Sequence, residues 1–176
     1  MTRRASAGLV MLAAGAVLTG CGATSTASSP QTPSAAAGPH SGAAPAVSTA
    51  LRTINGSTVR VPSSKPSVLV FISISCADCS AAAKAVAQAS RTSGDKATFL
   101  AVDLDPGVAP RDLSGFLSSV NAKNLPSVVD EKAALTGKYQ VSALSSVIVI
   151  NPAGKVTYRA VNPTANAITA AVAHSS

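Results

Sequence analysis

The chain has 176 residues, room for one folded domain plus a targeting segment, and its apolar side chains are mainly aliphatic, with three Phe, two Tyr and no Trp. Its formal charge is +7, from 14 basic and 7 acidic residues. Beyond Arg3-Arg4 the basic residues are scattered (Lys65, Lys84, Lys96, Lys123, Lys138, Lys155), with no run and no interleaved aromatics, which argues against nucleic-acid binding.

The N-terminus reads as an address. Arg3 and Arg4 form a basic head, and residues 5–18 are apolar or small and uncharged, the length of a signal-peptide core and too short to span a bilayer. Leu18-Thr19-Gly20-Cys21 then looks like a bacterial lipobox, in which the chain is cut before the cysteine and a diacylglycerol is attached to its sulfur. Residues 1–20 are therefore expected to be a lipoprotein signal peptide and Cys21 the lipidation site. An ordinary secretory signal is the alternative, and it leaves a free thiol outside the cell. Fully processed acyl chains hold a protein stably, at about 0.8 kcal/mol per buried CH₂. The expected location is thus the extracytoplasmic face of the cell membrane.

Residues 21–50 carry the lipidated cysteine and an Ala/Ser/Thr/Pro/Gly-rich stretch without a single charge. Such a segment buries too little apolar surface to offset its ordering entropy and is expected to be a disordered tether. A flexible coil of this length reaches roughly 30 Å. His40 reads as a solvated linker residue.

Residues 51–176 read as the folded domain. A hairpin is expected over 53–61 around Asn55-Gly56. The apolar run 67–73 reads as a central strand buried on both faces, and the Ala-rich stretch 77–91 as a helix. A buried strand follows at 97–102, then a loop at 106–110. A helix is expected over 111–121, where Leu113, Phe116, Leu117 and Val120 fall at helical spacing. A short extended piece at 125–129, a short helix at 131–139, a strand at 147–150, a turn at 151–154, a paired strand at 155–160 and a closing helix at 166–174 complete the order. Alternating strands and helices with a final hairpin imply an α/β fold with a central mixed sheet flanked by helices.

Cys76-Ala77-Asp78-Cys79 lies between the first buried strand and the first long helix. Free N–H groups and the positive end of the helix dipole favour a thiolate at the first position. The spacer sets the second sulfur one turn on, where it can attack a mixed disulfide formed by the first. Cys76 is thus the candidate nucleophile and Cys79 the resolving thiol. Asp78 is a candidate redox-tuning residue, since a nearby carboxylate disfavours a thiolate and so favours the disulfide; it also suits a first helical turn. A zinc half-site needs two more ligands, and only His40 and His174 remain, one on each flank, so no metal site is expected. A purely structural disulfide here closes too small a loop to stabilise much. Asp103 and Asp105, near the end of the second buried strand, read either as an acidic pair beside the site or as loop caps. Tyr139 and Tyr158 read as packing residues.

Residues 51–176 resemble the TlpA/ResA type of thioredoxin-fold domain, membrane-anchored thiol–disulfide oxidoreductases. The matching pieces are I-N-G-S-T-V-R-V at 54–61, V-L-V-F-I-S-I-S-C-A-D-C at 68–79 and Y-Q-V-S-A-L-S-S-V-I-V-I-N-P-A-G-K-V at 139–156. The resemblance implies Cys76 and Cys79 as the catalytic pair. It also implies Leu144 and Ser145 as the loop that carries a cis-proline in the family. Ser145 stands in place of that proline and, as a non-proline, is expected to be trans. Ser75 replaces the family's aromatic, Asp78 its proline, and Val70 the buried acid of cytosolic thioredoxins. Exported protein disulfides are the implied substrates, with a membrane thiol relay as electron donor. No nicotinamide or flavin motif is present, so no cofactor is expected. The alternative is a redox-inactive lipoprotein of the same fold that binds a protein or metal, with the cysteine pair structural.

Overall fold

The computed structural model describes residues 46–176. The signal peptide at 1–20, Cys21, His40 and the tether up to residue 45 lie outside the described residues.

The first elements are a two-stranded antiparallel hairpin, β1 (Thr49–Arg52) and β2 (Thr58–Val61), closed by the Asn55-Gly56 turn with Gly56 at φ +85°. β1 starts two residues before the expected edge of the domain, and Thr49 and Ala50 pair with Val61 and Arg60. The chain then alternates: β3 (Ser67–Ile72), α1 (Cys79–Ser93), β4 (Thr98–Asp103), α2 (Pro110–Ser119), β5 (Ser127–Val129), α3 (Ala134–Lys138), β6 (Ser146–Ile150), β7 (Val156–Val161) and α4 (Ala165–Ala173), with one 3₁₀ turn at Gly94–Lys96.

β3 to β7 form one sheet in the order β5-β4-β3-β6-β7. β3, β4 and β5 run parallel, while β6 and β7 run antiparallel to their neighbours. The expected mixed sheet is therefore present, with β3 at its centre. Centrality explains the unbroken apolar run, because each face of β3 meets a separate core. Val68, Val70 and Ile72 face α1, α2 and α4 together with Phe99, Ala101, Val147 and Val149. Leu69 and Phe71 face Val61, Leu135 and Tyr139 with Leu100, Val102, Ile148 and Ile150. This alternation is the two-residue period of a strand.

The expected helix 77–91 is displaced. Ala77 and Asp78 sit in a tight turn whose bonds run Cys79 N–H to Cys76 C=O (3.2 Å) and Ser80 N–H to Ala77 C=O (3.4 Å), so regular α-helix begins at Cys79. Its buried stripe is small: Ala82, Ala83, Val86, Ala87 and Ala89. That lets α1 lie close on the sheet. In α2 the predicted spacing holds, with Leu113 and Leu117 buried and Phe116 and Val120 packed partly against the same core. Among the described residues no helix is long and apolar enough to cross a membrane.

Candidate functional site

The dithiol lies where β3 ends and α1 begins. Its first wall is the turn Ser73–Cys76. Cys76 N–H donates to Ser73 C=O (3.1 Å), which folds the backbone back and leaves the Cys76 side chain half-exposed. Cys79 is fully buried, at 0% exposure. Both are free thiols. Burial pushes the Cys79 thiol up from its ordinary range. The neighbouring Cys76 pushes the same way, opposed by the Ser145 hydroxyl and the Ser73 amide.

A network of side chains fixes that first wall. The Ser73 hydroxyl donates to Asp105 Oδ2 (2.7 Å), and the Ser75 hydroxyl lies 2.6 Å from Ser73 Oγ and 3.4 Å from the same carboxylate oxygen. The Ser75 amide also donates to Ser73 Oγ (3.2 Å). Asp105 is held in turn through its own N–H, which donates to Asp103 Oδ1 (2.8 Å). Asp103 lies on β4 opposite Ile72 at 0% exposure, and its Oδ2 has no partner among the described residues. Burial pushes its carboxyl above the ordinary 3.8, reinforced by the Asp105 charge.

The second wall is the loop before β6, built from backbone. The Ser145 amide donates to Phe71 C=O (2.8 Å), and Asn162 N–H donates to Ser145 C=O (3.0 Å). Ser145 takes a left-handed conformation, φ +61°, and is buried at the site. Its hydroxyl donates to Cys79 Sγ at 3.5 Å. Leu144 beside it is exposed. The residues expected from sequence thus meet: Cys76, Cys79 and Ser145 share one site with Leu144 at its rim. Asp78 is the N-cap of α1, its side chain exposed and making no capping hydrogen bond.

Three contributors were harder to see in sequence. Ser73 read only as the end of a strand, although a hydroxyl there, next to an S-x-S-C run, was a weak signal. Asn162 gave none. Asp105 was seen, but its partners are 30 and 32 positions away. Among the described residues no group of three or more metal-binding side chains occurs. Val70, where cytosolic thioredoxins have an acid, is an ordinary core residue.

No protein-family model matches the chain. A Streptomyces lividans protein described as mercury resistance operon ORF3 is 44% identical over 140 residues, covering 78% of this chain and 74% of that protein. Among solved structures, StoA from Bacillus subtilis superposes with a TM-score of 0.62 at 20% identity, over 73% of this chain and 98% of that one. The exposed lipoprotein thioredoxin Etrx1 of Streptococcus pneumoniae superposes with a TM-score of 0.63 at 22% identity, over 73% and 99%. The architecture is the thioredoxin fold.

Proposed function

We propose, for a chain that belongs to the same family as the Streptomyces lividans mercury resistance operon ORF3 protein, that Cys76 and Cys79 are the reactive dithiol of a thiol–disulfide oxidoreductase. Its substrates are disulfides of exported proteins, and a lipid on Cys21 holds it at the extracytoplasmic face of the membrane. The observation that carries this reading is the asymmetry of the pair. One free thiol is half-exposed; the other is buried, is raised above its ordinary range by that burial, and receives the Ser145 hydroxyl.

In the reduction, the Cys76 thiolate attacks one sulfur of a substrate disulfide. That S–S bond breaks, a Cys76–substrate disulfide forms, and the leaving sulfur takes a proton. Cys79 then loses its proton and attacks Cys76 Sγ, releasing the second substrate thiol and leaving a Cys76–Cys79 disulfide. Two electrons pass to the substrate, and a membrane thiol relay restores the dithiol. Ser145 donates to the Cys79 sulfur as its charge develops. Asp78, exposed at the helix start, lowers the potential by disfavouring the thiolate form.

The test is the reduction potential of the pair together with its exchange rate with glutathione. A value near about −270 mV with fast exchange supports a working reductase. A value well below about −300 mV with slow exchange would mean a structural staple. A Cys21→Ser chain that still takes up labelled lipid would remove the anchor.

The relative's name favours a second reading, in which the same two sulfurs take a mercuric ion, since soft thiolates select soft cations. Mercuric titration of the reduced protein distinguishes the two. One ion bound per pair, lost in both Cys76→Ser and Cys79→Ser, together with failure to reduce a protein disulfide, supports capture over exchange.

A further inference from the structure

We propose that the end of the domain opposite the dithiol is a docking surface for an anionic lipid bilayer, formed by Arg60, Lys65, Lys96, Lys138 and Lys155. The inference deepens the membrane-anchored reading above and rests on it for the choice of partner.

These five side chains come from separate parts of the chain, and the fold gathers them. Ala46 lies against Gly154: a Cβ at position 154 would come 2.7 Å from that of Ala46. Lys155 follows directly. Arg60 lines a shallow cleft with Ala46, Ser64 and Pro152, and Lys138 lines the adjoining one with Val47 and Gly154. The Ser63 hydroxyl donates to Lys65 C=O (2.8 Å) and lies 3.0 Å from the Thr98 hydroxyl. Thr98 N–H donates to Pro66 C=O (2.8 Å), which brings Lys96 to the same end.

All five are exposed. None makes an ion pair: among the described residues the one salt bridge joins Arg111 to Asp112. The acids lie elsewhere. Asp78, Asp103, Asp105, Asp112, Asp130 and Glu131 sit at or beyond the C-terminal ends of β3, β4 and β5; of the acids, Asp95 lies at the basic end and Asp130 lines a cleft with Lys138. Favourable placement at helix termini explains Asp78, Asp112 and Lys138. It does not explain Arg60, Lys65, Lys96 or Lys155, which lie outside the four α-helices.

Two further observations select a bilayer as the occupant. Residues 1–45 join the domain at Ala46, which lines both clefts of this cluster, so a lipid on Cys21 would tether the domain by this end. Val47, 89% exposed, sets an apolar side chain among the cations. Basic residues near an anionic leaflet each strengthen binding, and the effect fades beyond a Debye length of about 10 Å. Docking in this pose points Cys76 away from the lipid, toward exported substrates.

The experiment uses the full chain with vesicles of neutral phosphatidylcholine, and with vesicles in which one lipid in three is phosphatidylglycerol. Amide hydrogen exchange is read at 60–66, 94–97 and 151–155. The expected result is slower exchange at these segments on the anionic vesicles alone, reversed by about 0.5 M salt. The turn at 73–78 should not change. A triple variant, Lys65→Gln, Lys96→Gln and Lys155→Gln, should lose the protection and weaken partition to anionic vesicles on the order of 100-fold, about fivefold per charge. Equal exchange on both vesicles in the wild type, or protection centred on the dithiol, would overturn the proposal. The salt reversal needs no variant to fold. Association with the neutral vesicles reads the anchor separately, so a failed anchor still leaves the basic end tested on the anionic ones.

Discussion

The two walls of the dithiol are built from different materials. The Ser73–Cys76 wall hangs on side chains, two hydroxyls and a carboxylate pair reaching across from β4. The Ser145 wall hangs on backbone, Phe71 C=O on one side and Asn162 N–H on the other. A wall made of side chains falls with one substitution or one protonation. A wall made of backbone keeps its place when its side chain changes, so that side chain is free for chemistry. The first wall presents the exposed sulfur, and the second faces the buried one.

The largest effects should come from separating the two sulfurs. Cys76→Ser should abolish turnover, because the accessible nucleophile is gone. Cys79→Ser should still attack but not resolve, and should accumulate a mixed disulfide visible by intact mass. If Cys79→Ser turned over normally while Cys76→Ser accumulated the adduct, the roles of the two walls would be exchanged.

Asp105 is the next test, because the side-chain wall depends on it. Asp105→Ala takes the charged acceptor from the Ser73 and Ser75 hydroxyls and loosens the turn. It should cost about 1–3 kcal/mol in denaturant unfolding, the range for losing a buried hydrogen bond to a charged group. It should also slow Cys76 alkylation or make it heterogeneous. Unchanged stability would mean that the turn is held by its backbone bond alone.

Asp103 tests the same wall by pH. Its folded-state carboxyl sits above its unfolded value of 3.8, so the native state holds the proton more tightly than the unfolded chain. Its contribution is therefore most favourable below about 3.8 and becomes a penalty as pH rises through the folded value. Asp103→Asn keeps an oxygen acceptor for the Asp105 amide and removes the charge. At neutral pH it should be at least as stable as the wild type, and that advantage should shrink as pH falls through the folded carboxyl's value and be gone below about 3.8. Urea midpoints measured across pH check the sign; a variant less stable at pH 7 would refute it. Asp130 runs the opposite way. Burial favours its protonated form, but bonds from Thr136, Leu135 and Ala134 outweigh this and hold it below the usual range, so its contribution is present above the unfolded value and lost in acid.

The same contrast explains what sequence could show. Elements with a strong local period were legible: the run through Val68–Ile72, the small face of α1, the spacing of Leu113 and Leu117 in α2 and the final hairpin. The dithiol was legible because its spacing and its strand-to-helix position lie within a few residues. β1 was hidden because Thr49 and Ala50 have the composition of the stretch before them, and only pairing with β2 makes them a strand. The side-chain wall was hidden for a related reason: Ser73 and Asp105 lie 32 residues apart and meet only because β3 and β4 run parallel in register. The gathering of cations at the far end was equally invisible, since scattered charges along a chain do not reveal which of them one end of a sheet will collect.

Ser145 offers the smallest and sharpest test. The backbone wall predicts that Ser145→Ala folds as before, because the Phe71 and Asn162 bonds use main-chain atoms and alanine replaces one left-handed non-glycine residue with another. What disappears is the donor to Cys79 Sγ. The buried thiolate must then form without it, and resolution of the mixed disulfide should slow by roughly 2- to 10-fold, the rate equivalent of one modest hydrogen bond. Formation of the mixed disulfide at Cys76 should be unaffected. Stopped-flow measurement of the two steps separates them. A large fall in thermal midpoint for Ser145→Ala would show that the hydroxyl holds the wall, and the distinction between the walls would fail. Slowing of both steps alike would place Ser145 at the substrate and not at Cys79.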